Sequence, residues 1–134
     1  MKIRIVVDAN IIISAFLGGK PRFLLFEPKF EFIAAPPALK EVQKHIPLIS
    51  KKSGISEKEI REGLKLLPIK IMPLSYYREQ IREAREIMKD IDESDTEILA
   101  LYLKEKTYLW SEDKDFEKAK KKIKINLLKT EDFL

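Results

Sequence analysis

At 134 residues and 45% hydrophobic content, the chain is long enough for one domain, residues 1–134, with a proper core. It has no cysteine and a single histidine, His45, which excludes a disulfide framework, a Cys- or His-built zinc site and a histidine relay. A metal here would be held by oxygen. The net charge of +4 is too mild to argue for a nucleic-acid partner by itself.

No apolar run approaches the roughly 20 residues that span a bilayer, and the first 16 residues carry an Asp where a signal peptide would be apolar. The expectation is a cytoplasmic protein without a membrane partner. Lys, Glu and Ile are abundant while Asn and Gln number two each, a bias typical of thermophile proteins.

In chain order, residues 3–9 come first. Ile3, Ile5, Val6 and Val7 lack polar alternation, as in a strand buried on both faces of a parallel sheet. Asp8 ends that strand. Ligands collect at the carboxyl ends of such strands, so Asp8 reads either as a site carboxylate or as the N-cap of the apolar segment 11–17. Gly18-Gly19 stops that segment. Residues 22–26 suit a helical turn and 30–34 a second strand. Pro36-Pro37 starts a helix with Leu39, Val42 and Ile46 as its buried stripe and Glu41 at the edge, and Pro47 ends or kinks it. Residues 50–54 read as a loop. Ser56 and Glu59 form a capping box for a helix to about residue 67.

A third strand at 69–74 is confined by Pro73 to an edge or a strand end. Residues 76–89 read as one charged amphipathic helix with Ile81, Ala84 and Met88 inward. The acidic stretch Asp92, Glu93, Ser94, Asp95 precedes an apolar helix, and Ser94 with Glu97 offers a second capping box. A fourth strand at 107–110 meets Ser111, Glu112, Asp113 and Asp115. A lysine-rich helix at 116–122 and a strand at 124–128 follow. Strands alternate with helices throughout, which predicts an α/β/α sandwich around a mainly parallel sheet of four to five strands.

Four carboxylates stand where a charge is costly. Asp95 is the most telling, because Ile98, Leu99 and Tyr102 lie three, four and seven residues beyond it, on the face a helix turns to its core. Asp92 is on the same side. Capping is the competing reading for both, as a solvated helix face is for Glu41 and a turn for Asp113. If Asp8, Glu41, Asp95 and Asp113 converge, their repulsion requires a cation, and oxygen ligands select Mg²⁺ or Mn²⁺. Such ions serve phosphodiester hydrolysis.

At these residues the sequence resembles the PIN-domain family, the ribonuclease fold that includes VapC-type toxins. The matching pieces are VVDANIIISAF (6–16), PPALKEV (36–42), DESDTEILALYLKEK (92–106) and LWSEDKDF (109–116). The resemblance implies an acidic metal site mapping to Asp8, Glu41, Asp95 and Asp113, with Asp92 and Asp115 as the neighbouring acids that compete with the last two. It also implies supporting roles for Asn10 and Ser111, Mg²⁺ or Mn²⁺ as cofactor, an RNA substrate, dimers and, for toxins, a small antitoxin partner.

Lys114 and Lys118, with Lys51, Lys52, Lys120, Lys121, Lys122 and Lys124, suit RNA phosphates, although a solvated helix face is the plainer reading of 118–122. Tyr76, Tyr77 and Trp110 suit stacking on single-stranded RNA or, more simply, a core. A phosphoacceptor receiver fails at Met72-Pro73-Leu74, where it needs an acceptor aspartate. A haloacid-dehalogenase-type phosphatase fails at Asn10, where it needs a second one. A non-catalytic RNA- or partner-binding module is the remaining alternative.

Overall fold

The computed structural model describes residues 2–133. Five parallel strands form one sheet: β1 (Ile3–Val7), β2 (Phe30–Ala34), β3 (Ile69–Ile71), β4 (Tyr108–Trp110) and β5 (Leu127–Leu128), in the order β3-β2-β1-β4-β5. The α/β/α sandwich with a central parallel sheet is the predicted fold class. β1 lies at its centre, between β2 and β4.

Successive β1 side chains explain its apolar run from Ile5 to Val7. Val6 joins Ile33 and Leu109 in a core against the helices α6 (Leu74–Tyr77), α7 (Ile81–Met88) and α8 (Thr96–Glu105). Ile5 and Val7 point the other way, with Phe32, Ala34 and Trp110, against α1 (Ala9–Phe16) and α3 (Pro36–Lys44). Both faces are dry from Ile5 to Val7, so beyond Arg4, whose guanidinium pairs with Glu31 and Glu105 near the strand's start, the strand has no polar residue until Asp8. Tyr77 and Trp110 are fully buried, in line with the core reading, and Tyr76 is half-buried.

The chain departs from the sequence reading in six places, one of them the last strand, expected over 124–128 and formed only at Leu127–Leu128. Pro47 starts a helix as well as ending one: α3 stops at Lys44, and α4 (Ile46–Ser53) carries Pro47 in its first turn, where its missing N–H costs nothing. The expected loop at 50–54 is therefore the end of α4, closed by Gly54 at φ 76°. α4 packs on α5 (Glu57–Leu66) through Ile46, Ile49 and Ile60, and α5 begins at Ser56, whose Oγ accepts from the Glu59 N–H at 3.1 Å, as predicted.

β3 ends at Ile71, with Pro73 capping α6, and it is an edge strand as its proline required. The helix expected over 76–89 is broken into α6, a 3₁₀ turn at Arg78–Gln80 and α7. The break lets Tyr77 enter the core while its hydroxyl donates to Glu97 at 2.6 Å. The Ser94–Glu97 capping box does not form, because Glu97 is engaged by Tyr77 and the Ser94 hydroxyl donates to Asp92 at 2.7 Å. Among the described residues, no helix is long and apolar enough to cross a membrane.

Candidate functional site

The strand order reverses at β1: β2 lies on one side and β4 on the other. The crevice beyond the carboxyl ends of β1 and β4 is thus the switch point of the sheet. A cleft of about 400 Å³ opens there, lined by Asp8, Asn10, Glu41, His45, Asp92, Asp95 and Asp113 among others.

Asp8 follows β1 and is only 4% exposed. Its Oδ1 accepts from the Ala9 N–H at 2.7 Å, and its Oδ2 accepts from the Ser111 hydroxyl at 2.8 Å. Burial raises its carboxyl pKa, the Ser111 and Ala9 hydrogen bonds oppose that rise, and Asp113 and Glu41 add to it. Ser111 follows β4, is fully buried, and accepts in turn from the Asp113 N–H at 3.0 Å. One hydroxyl therefore ties the loop after β1 to the loop after β4. Asp113, half-buried, caps α9 (Lys114–Lys120) by accepting from the Asp115 N–H at 2.9 Å.

Asp95 sits at the N-cap of α8, above the buried stripe of Ile98, Leu99 and Tyr102. Its side chain makes no capping bond, and its Oδ2 is buried without any hydrogen-bond partner. Burial first, then Asp8, Asp113, Asp92 and Asp115, pushes its pKa up to about 8. Asp92 is exposed and behaves oppositely: the Ser94 hydroxyl and N–H hold its carboxyl below the usual range. Ligand atoms of Asp92, Asp95 and Asp115 all lie within 4.8 Å of one another.

Glu41 is exposed on α3 at the rim of the cleft. His45 caps the end of α3, with Nδ1 2.8 Å from the Glu41 carbonyl and 3.4 Å from its Oε1. In the sequence His45 serves only to exclude a zinc site and a histidine relay, although its place one helical turn after Glu41 is a usable signal. Asn10 accepts from the Glu112 N–H at 3.5 Å and lines the cleft.

Thus Asp8, Glu41, Asp95 and Asp113 share one cleft, with Asn10 and Asp92, while Ser111 lies beneath it. Asp115 approaches from α9 through Asp92 and Asp95. Lys114 and Lys118 do not line the cleft. Lys118 instead extends to Asp115 at 3.9 Å, and Lys122 is engaged by Asp90 and the Ile87 carbonyl.

The residues present fit a hard divalent cation. The acids of the cleft offer only oxygen, and one buried carboxylate oxygen lacks any partner while four further carboxylates raise the pKa of its group. The protein alone leaves that oxygen unsatisfied.

Comparison with known proteins agrees with this architecture. No curated protein matches the chain. Among solved structures, a chain from the crystal structure of VapBC2 from Rickettsia felis bound to a DNA fragment from their promoter superposes with a TM-score of 0.69. It has 15% sequence identity, and the match covers 94% of this chain and 98% of that one. The likeness is one of fold. The family model described as PIN domain matches residues 6–129, from within β1 to just past β5, and the chain therefore belongs to the PIN-domain family.

Proposed function

We propose that this protein is a metal-dependent endoribonuclease, acting on single-stranded RNA with Mg²⁺ or Mn²⁺ at the cleft. The observation that carries the reading is Asp95: a buried carboxylate with an unpartnered Oδ2, surrounded by other carboxylates, at the switch point of the sheet. Asp8, Glu41, Asp95 and Asp113 would hold the ion, Asp95 belonging also to the tighter group with Asp92 and Asp115. When bound, such an ion polarises the phosphodiester and makes a nucleophile of water.

The chain's own groups set the geometry. Ser111 fixes the Asp8 carboxylate and the Asp113 backbone relative to each other, and so fixes the strand ends that carry them. Ser94 favours the ionised form of Asp92, its N–H and hydroxyl both donating to Oδ1. Asn10, in the first turn of α1, accepts from the Glu112 N–H after β4 and so links the two segments that follow β1 and β4.

The VapBC2 neighbour, together with family membership, supports a role as the toxin of a toxin–antitoxin pair, with a small antitoxin protein as partner. A homodimer is proposed as its working assembly. The test is cleavage of fluorescent single-stranded RNA and DNA with Mn²⁺, with Mg²⁺ and with EDTA. Metal-dependent RNA cleavage, lost in both Asp8→Asn and Asp95→Asn, supports the proposal. A wild type that neither cleaves RNA nor gains thermal stability from metal refutes it.

A further inference from the structure

A second and larger depression, about 720 Å³, adjoins the acidic cleft and shares Pro37 and Ser94 with it. Its wall is formed by Arg78, Arg82 and Arg85. These occupy positions i, i+4 and i+7 along the 3₁₀ turn and α7, and so form one stripe.

The chain has six arginines, and the other three each have a partner. Arg4 pairs with Glu105 and Glu31, Arg61 pairs with Glu57, and Arg22 lies 4.5 Å over the Phe23 ring. Arg78, Arg82 and Arg85 are exposed and form no ion pair or side-chain hydrogen bond among the described residues. Each is followed at once by a glutamate, Glu79, Glu83 and Glu86. That spacing turns the acids about 100° around the helix, and they border a separate depression with Ile87 and Ile123, which Arg82 also touches. The helix has sorted its charges, placing like charges at i, i+4, where they repel.

We infer that the Arg78–Arg82–Arg85 stripe is the track for the phosphates of the RNA strand adjoining the bond held in the acidic cleft. The inference rests on the nuclease reading. Guanidinium groups suit phosphate because their planar fork donates two parallel hydrogen bonds, and each successive arginine is about one helical turn further on. The floor of the groove complements the ridge. Pro37, Leu74 and Ile81 offer apolar surface to bases, and the Glu93 carboxylate is of the kind that accepts from a base amino group. A polyanion is favoured over an acidic protein segment because the groove that the stripe lines adjoins, at Pro37 and Ser94, the cleft where a phosphodiester would be cut.

The experiment is fluorescence anisotropy of a labelled single-stranded RNA oligonucleotide over a salt series, with EDTA present so that nothing is cleaved. Wild type is compared with Arg78→Ala/Arg82→Ala/Arg85→Ala and with Glu79→Gln/Glu83→Gln/Glu86→Gln as a control on the other stripe. Three lost phosphate contacts should lower the slope of log K against log salt by about 2 and weaken binding on the order of 10- to 100-fold, each single variant contributing roughly 0.7 of slope. The glutamate variant should bind at least as tightly as wild type. Because all three arginines are exposed and unpaired, circular dichroism and melting temperature should match wild type.

Retained affinity and slope in the triple arginine variant overturn the inference. So does arginine-dependent binding of poly-glutamate by a wild type that ignores RNA, which assigns the stripe to a protein partner. Metal-dependent cleavage, measured in parallel, reports on the nuclease reading separately: a wild type that cuts RNA while the arginine variant binds unchanged sinks the stripe alone.

Discussion

Asp95→Asn tests the electrostatics of the cleft without requiring any activity. In the folded, metal-free protein the Asp95 carboxyl titrates at about 8, against an ordinary value of 3.8. The folded state therefore holds a proton that the unfolded chain gives up. Stability from this group is fully present below the unfolded pKa and is lost as pH rises through about 8. At neutral pH the ionisable residue costs ~4 kcal/mol, an upper figure because the neighbouring carboxylates share the protons. Replacing it with Asn removes the titration. Between about pH 5 and about pH 8, in EDTA, the melting temperature of Asp95→Asn should gain on wild type by roughly 5–15 °C, from a few kcal/mol at ~3–5 °C each. Differential scanning fluorimetry reads this directly. Saturating Mg²⁺ or Mn²⁺ should then raise wild type, by ~3 kcal/mol at about 100 times Kd, and leave the variant nearly unmoved. A gap that stays flat with pH would refute the reasoning, since it would mean that Asp95 is solvated and ordinary.

Three further outcomes are expected. Ser111→Ala leaves Asp8 Oδ2 and the Asp113 N–H without their shared partner, and should lower stability by ~1–3 kcal/mol, measured by urea unfolding. Glu41→Gln changes an exposed side chain, so stability should hold within about 0.5 kcal/mol, whereas the stabilisation by added metal should fall; calorimetric titration with Mn²⁺ checks it. Lys106→Gly relieves a left-handed residue, φ 56°, at the end of α8, whose N–H already bonds the Tyr102 carbonyl. It should stabilise the protein by roughly 0.5–1 kcal/mol in thermal unfolding.

What the sequence disclosed followed from how local the controlling physics was. β1 was legible because both its faces are buried, which leaves a residue pattern with one reading. Asp95 was legible because a charge in line with Ile98, Leu99 and Tyr102 has to point inward. Pro47 misled because a proline that ends one helix suits the first turn of the next, and only the packing of Ile46 and Ile49 on Ile60 decides that a second helix follows. The break at Arg78–Gln80 depends on Tyr77 reaching Glu97 across 20 residues, which no periodicity records. The arginine stripe was visible only as part of a charged face. Which side of α7 borders the groove depends on its docking against α8, and that is a tertiary fact.

A position at a helix N-terminus and a position in the cleft do not exclude each other. Asp8, Asp95 and Asp113 are the N-cap residues of α1, α8 and α9, so three helix N-termini point their partial positive charge into one cleft. At Asp8 and Asp113 a strand end hands over to a helix and so places the cap residue at the cleft, whereas Asp95 reaches it from the turn that follows α7. The helix ends are still not enough. At about 0.3–1 kcal/mol each they offset ~1–3 kcal/mol of repulsion, less than the ~4 kcal/mol implied for Asp95 alone. Asp95 in particular makes no capping bond, and its Oδ2 meets no donor. The fold thus gathers the carboxylates and offsets only part of their mutual repulsion, which leaves the Asp95 carboxyl with a raised pKa and one buried oxygen that meets no donor.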